Sequence, residues 1–393
     1  MYILANAKII QEDGILENFA VVVEGENISR ILPVEEAQNI KEDYEWIDCQ
    51  DYYLAPGFID IHSDYIENIV SPRPTSMIDF NIGLKESERI LITHGITTMY
   101  HSLSLYKDED FGVKPIRRPD NVKRLIEAIN QMHDIDHVIR HRVHARLEIN
   151  NIEIVDQVNS WIDEDRIHLI SFMDHTPGQG QYRDLEVYKK TVKGYQSHLS
   201  DEDTQGIIAT RQARDTLQLE EIMEIAERAQ ARGIAVASHD DDTLEKLEVV
   251  KKFKATISEF PIHLDVARQA TLEGMWTIAG APNVLMGGSH SGNLSAIEGI
   301  MDGSISILCS DYYPSGLIHA LYILHRQYNM PLHEVFKMVT LHPAKAVGID
   351  HEAGSIAPNK KADLLLLGVK DGFPAVVSAM VNGKIVYRTG LRK

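Results

Sequence analysis

The chain has 393 residues, 44% hydrophobic and 25% charged, the proportions of an ordinary globular protein, and at this length about two domains or more are expected. Its formal charge of −19 excludes the net basic surface that nucleic acid or an anionic membrane would need, so neither is an expected partner. No apolar run approaches the roughly 20 residues of a membrane span. MYILANAKIIQEDG carries no basic leader, and two cysteines, Cys49 and Cys309, cannot build a disulfide framework, so the expected setting is the cytoplasm.

Residues 1–53 read as short strands separated by Asp-Gly and Gly-Glu-Asn turns. The last fifty residues repeat that style, with an Asn-Gly hairpin signal at Asn382–Gly383. Together they predict one small β-sandwich domain built from both termini, residues 1–53 plus 346–393. Between them, residues 54–345 alternate strands and helices, the mark of a parallel α/β architecture. Candidate strands fall at 54–62, 96–104, 142–149, 167–174, 234–239, 255–260, 283–288 and 305–310. Residues 217–232 illustrate the helices: Leu219, Ile222, Ile225, Ala226 and Ala229 share a face, and Gly233 supplies the stop. Eight such units predict a (β/α)8 TIM-like barrel, with an open doubly wound sheet as the alternative.

Histidines and carboxylates fall at the C-terminal ends of these candidate strands, where barrel enzymes build their sites. The first strand ends in His62 and Asp64, and residues two apart on a strand point the same way. The fourth ends in Asp174 and His175, the fifth in His239 with three aspartates behind it, and the last in Asp311. The third strand, HRVHARLEI, alternates strictly. Val143, Ala145, Leu147 and Ile149 form one face, and Arg142, His144, Arg146 and Glu148 the other. In a barrel the polar row would face the lumen, and such a row is costly unless paired or coordinated; on an edge strand it would be harmless.

Imidazole and carboxylate are the ligands of zinc, manganese, iron and nickel sites, and with no thiolate at the strand ends the site has a catalytic composition. Glycine-rich PGQGQ (177–181) and GGSHSGN (287–293) are the kind of loop whose amides converge on phosphate, although most such loops are turns. The remaining basic clusters, Arg117 with Arg118 and Lys189 with Lys190, read as solvated faces.

APGFIDIHSD (55–64), GITT (95–98), Asp311, TLHPAKAVGI (340–349) and GSIAPNKKADLLLL (354–367) together resemble the amidohydrolase superfamily. A narrower set looks like the diphosphatases of the carbon–phosphorus lyase pathway: SPRP (71–74), HARLE (144–148), MDHTPGQGQY (173–182), ASHDD (237–241), SEFP (258–261), GAPNVLMGGSHSGN (280–293) and CSDYYP (309–314). The resemblance implies metal ligands at His62, Asp64, Glu148, His175, His239 and Asp311. The superfamily usually sets its two single histidines on strands five and six, whereas here they fall on four and five. That leaves open whether His175 or Glu259 of strand six is the ligand. Gly180 and Met286 stand where the resemblance leads one to expect basic residues, so the reaction class is implied more firmly than the substrate.

The implied activity is a metal-dependent hydrolysis releasing pyrophosphate from a small phosphorylated substrate of the ribose 1-methylphosphonate 5-triphosphate type, in phosphonate catabolism. One or two divalent ions, zinc foremost, would acidify water. Glu148 would bridge or hold them, and Asp311 would take the proton. Arg142, Arg146 and the loop Gly287, Gly288, Ser289 and His290 are the candidates for holding phosphate, His290 being either a donor or a turn residue. The alternatives are an amidohydrolase acting on a cyclic amide or N-acyl substrate, and a non-catalytic barrel serving assembly. A homodimer is expected.

Overall fold

The computed structural model describes residues 1–73, 75–107, 114–179, 185–186, 189, 201–289 and 292–390. Eight parallel strands make one sheet in chain order: β1 (Phe58–Ser63), β2 (Ile96–Leu105), β3 (Arg140–Glu148), β4 (Leu169–Met173), β5 (Ala235–His239), β6 (Ile257–Glu259), β7 (Trp276–Gly280) and β8 (Ile307–Cys309). The sheet curls until β8 returns to β1. There Ser63 bridges Asp311 in parallel, the Asp311 N–H donates to His62 O at 3.1 Å, and the Asp64 N–H donates to Asp311 O at 2.9 Å. The barrel reading holds.

The alternation of β3 is resolved as the barrel requires. Val143, Ala145 and Leu147 pack outward with Leu125, Ile126 and Trp161 of the surrounding helices. Inside, Ile59, Ile61, Tyr100, Leu169, Ile257 and Ile307 fill the lower lumen, and Ala344, Ala346 and Val347 pack against them. The lumen is therefore apolar below and polar above, where the strands end. The helix expected over 217–232 runs Leu219–Ala231 behind a Gln218–Glu221 capping box. It buries Ile222, Ile225, Ala226 and Ala229 and is followed by Gly233 at φ +72°.

Two further sheets come from the termini. One has four strands drawn from residues 2–48. The other has six and joins Lys8–Gln11, Gly14–Leu16 and Tyr53–Pro56 to Leu364–Lys370, Phe373–Val381 and Lys384–Arg388. Leu4, Val21, Val23, Leu54, Leu364 and Met380 share the core between them. The Asn-Gly turn stands as read, with Asn382 at φ 47° and Gly383 at φ 70°, the conformation a two-residue hairpin selects.

Two expected strands are corrected. The run 54–62 is two strands, because Tyr53–Pro56 pairs with Leu364–Leu367 in the terminal sheet and the barrel begins only at Phe58. The strand expected at 283–288 is the helix Ala281–Met286, and β7 lies just before it. Among the described residues no helix is long and apolar enough to cross a membrane.

Candidate metal centre

The C-terminal ends of the strands open into a cavity of about 380 Å³ lined by His62, Asp64, Arg146, His175, His239 and Asp311, among others. Four imidazoles follow one another across the lumen. Ring centroids are 5.1 Å apart for His144 and His62, 5.6 Å for His62 and His239 and 5.8 Å for His239 and His175. Phe260 stands edge-on to His62 and His239, closing one side with an apolar wall.

Two ligand groups emerge from this row. His62, His144 and Glu259 form a buried set, and His175, His239 and Asp240 form a second nearer the mouth. In the first, Glu259 Oε1 lies 2.9 Å from His62 Nδ1 and 3.5 Å from His144 Nε2. The ring of His144 is further held between the hydroxyls of Ser102 at 3.0 Å and Ser171 at 2.9 Å. In the second, Asp240 Oδ2 lies 3.0 Å from His239 Nδ1 and 3.6 Å from His175 Nε2, while Glu148 contacts His175 Nδ1 from below.

Burial pushes His62 well below the usual imidazole range, with Arg146 adding to the effect, and takes His144 to about 3 and His239 to about 4. These rings are neutral and carry lone pairs. His175 goes the other way: burial alone would lower it, but the Glu148 carboxylate lifts it well above the ordinary value. Asp311, buried and facing Asp64, is pushed up to about 7. Asp64, in the cavity lining, has a buried carboxylate oxygen, Oδ1, without a hydrogen-bond partner. An unsatisfied buried carboxylate oxygen is costly, and neutral imidazoles beside such oxygens are the donor set of a divalent transition metal. The residues fit a metal.

Of the six expected ligands, His62, Asp64, His175, His239 and Asp311 line the cavity and Glu148 contacts His175. Only His62, His175 and His239 fall within the two close ligand groups, which His144, Glu259 and Asp240 complete. Arg146 is in the cavity, and so is Ser289. Three phosphate-holding expectations need correction. Arg142 sits four residues, roughly 13 Å, back along β3 from Arg146, level with Tyr100 near the opposite end of the lumen. The Gly287 and Gly288 N–H groups are already used, donating to Val284 O and Asn283 O to cap the preceding helix, so they do not cradle an anion. His290 lies outside the described residues.

Sequence reading also missed residues. Asp240 was visible only as one of three aspartates after His239. Arg117, read as part of a solvated face, lines the cavity instead and pairs with Asp64 at 3.0 Å; nothing in its sequence neighbourhood signalled this.

The Amidohydrolase family matches residues 53–386 and the NagA composite domain matches residues 1–43. This chain belongs to the amidohydrolase family, and it is a hydrolase; the non-catalytic reading is set aside. It is 31% identical over 389 residues to the alpha-D-ribose 1-methylphosphonate 5-triphosphate diphosphatase of Escherichia coli (strain K12), a match spanning 95% of this chain and 100% of that one. Among solved structures, the N-acetylglucosamine-6-phosphate deacetylase of Pasteurella multocida superposes with a TM-score of 0.65 at 17% identity, over 98% of this chain and 99% of that one. The dihydropyrimidinase of Brevibacillus agri NCHU1002 gives 0.63 at 14% identity, over 98% and 95%. At those identities the two structures share the fold.

Proposed function

We propose that the chain hydrolyses a phosphoric anhydride, releasing pyrophosphate from a ribose 1-methylphosphonate 5-triphosphate-like substrate. The observation that carries this reading is the pairing of a metal-ligand set with two arginines, Arg117 and Arg146, in one cavity. A cyclic amide needs few cations; a triphosphate needs several. The reaction of the Escherichia coli relative supports the same choice.

His62, Asp64, Glu148, His175, His239 and Asp311 would hold one or two divalent ions, and the imidazole–carboxylate composition favours zinc. The chemistry such an ion supplies when bound is Lewis acidity, which makes water a competent nucleophile near neutral pH and offsets charge on phosphoryl oxygens. The chain's own residues do the rest. Asp311, at the barrel seam between β8 and β1, takes a proton at its carboxylate from the attacking water. The water oxygen bonds to phosphorus, the anhydride P–O bond breaks, and pyrophosphate departs with the electron pair. Arg146 donates to phosphate oxygens as charge shifts toward the leaving group, Arg117 binds the phosphate chain in ground and transition state alike, and Phe260 keeps the adjoining wall dry.

Phosphorus-31 NMR of ribose 5-triphosphate-type substrates, run beside a panel of cyclic and N-acyl amides, tests the reading. Pyrophosphate release that chelation abolishes and added zinc restores supports it. Amide hydrolysis without pyrophosphate release would replace it.

A further inference from the structure

We infer that Arg117 grips the two phosphates that leave, and so sets the preference for a triphosphate over a monophosphate ester. The inference rests on the triphosphate reading above and extends it to a residue outside the ligand set.

Arg117 ends the short turn Pro115–Arg117, in the connection that follows β2, and it is held at the cavity wall by several partners. Its Nε donates to both carboxylate oxygens of Glu67, at 2.8 and 2.9 Å. Its Nη2 donates to Asp64 Oδ2 at 3.0 Å, and the guanidinium lies 5.7 Å from the centre of the Tyr106 ring. Glu67 is only 2% exposed and also pairs with Lys114 at 3.5 Å. Nη1 is engaged by neither carboxylate. A guanidinium held on one edge and stacked on an aromatic face has already lost its rotamer freedom, so a ligand gains its donors at little ordering cost.

Charge decides what that ligand is. Arg117 and Lys114 face two carboxylates, Glu67 and Asp64. Asp64 also presents the partnerless buried oxygen Oδ1, and in the proposed function its charge goes to a metal ion. The balance on the Arg117 side then turns positive. The Arg117 side chain is 21% exposed, against 2% for His62, 6% for His239 and 13% for His175, so it is the more solvent-open group in the same cavity lining. A phosphorus beside the ligand set would place the rest of a polyphosphate chain toward this cation. Guanidinium matches phosphate oxygens in geometry as well as in charge.

The test compares wild type, Arg117→Lys and Arg117→Gln, each loaded with zinc and checked for metal content, with D-ribose 5-triphosphate as substrate. KM is expected to rise about 10- to 100-fold in Arg117→Gln, the loss of one or two charge-assisted hydrogen bonds, with kcat changing much less and Arg117→Lys intermediate. The inhibition constant for added pyrophosphate should rise in parallel, while that for ribose 5-phosphate stays within about twofold. Equal rises for both products, no rise for pyrophosphate, or loss of metal in Arg117→Gln would overturn the inference. If wild type releases no pyrophosphate, the diphosphatase reading fails by itself. Calorimetric titration of pyrophosphate into wild type and Arg117→Gln then still decides the point: weaker binding to the variant supports the grip, and equal binding overturns it.

Discussion

Arg146 Nη2 lies 2.9 Å from His239 Nε2, joining residues that arrive from β3 and β5. A guanidinium can only donate, so Nε2 accepts and the ring proton sits on Nδ1, facing Asp240 Oδ2 at 3.0 Å. With Nδ1 turned to Asp240, an ion bound at His239 Nε2 would take the place of the Arg146 contact and free that guanidinium for the cavity.

Replacing Arg146 by Gln removes that cation and leaves a neutral donor. We expect kcat/KM for pyrophosphate release to fall about 10- to 100-fold, the value of one charge-assisted hydrogen bond to a phosphate. Steady-state kinetics, with circular dichroism as a control for folding, would check it; an unchanged kcat/KM would remove Arg146 from the phosphate-holding set.

Glu259 answers a different question. Fully buried, with Oε1 on His62 Nδ1, it leaves the other nitrogen of that ring for the cavity. It lies behind His62 and is not part of the cavity lining, the place of a carboxylate that orients a ligating histidine. Glu259→Gln keeps the shape and removes the charge. Metal affinity, measured by competition with a chelator, should drop about 10- to 100-fold. An affinity equal to wild type would deny Glu259 this role.

What the sequence made legible and what it hid differ for physical reasons. β3 was readable because period-two alternation is forced by strand geometry, so its lumen row could be named without coordinates. β7 was misplaced because Val284, Leu285 and Met286 form a short apolar run that fits strand or helix equally. The arbitrating signals were there: Pro282 in the first turn and Gly287 in the left-handed conformation at the end. Arg117 was not legible at all. Its place in the cavity depends on Glu67 and Asp64, distant in sequence, and no local pattern encodes a tertiary pairing.

The GITT string has a backbone explanation. Gly95 joins the helix Phe80–Thr93 to β2 at φ +90°, and a Cβ there would stand 2.9 Å from both Leu365 Cδ1 and the Phe58 ring. Gly95→Ala adds left-handed strain of about 1–2 kcal/mol to overpacking of about 1–3 kcal/mol. We expect destabilisation of about 2–5 kcal/mol in urea unfolding. Since the contact joins the barrel to the strand Leu364–Lys370, both should loosen together, and a loss below about 1 kcal/mol would mean the neighbours yield freely.

Acid stability can be probed away from the metal centre at His168. Its Nδ1 accepts the Val143 N–H at 3.1 Å. Burial, reinforced by Arg142 and His133 and opposed by Asp165, lowers its pKa from 6.5 to about 3. Between those values the unfolded chain binds a proton that the folded chain refuses. Its contribution to stability is therefore complete above pH 6.5 and is lost as the pH falls toward 3, at up to about 1.4 kcal/mol per unit. His168→Asn retains an acceptor for Val143 and cannot titrate. In metal-free protein, the loss of unfolding free energy between pH 7 and pH 5 should be smaller in the variant by about 1–2 kcal/mol. Urea midpoints at the two pH values measure it, and parallel losses in wild type and variant would show that His168 takes up its proton without unfolding cost.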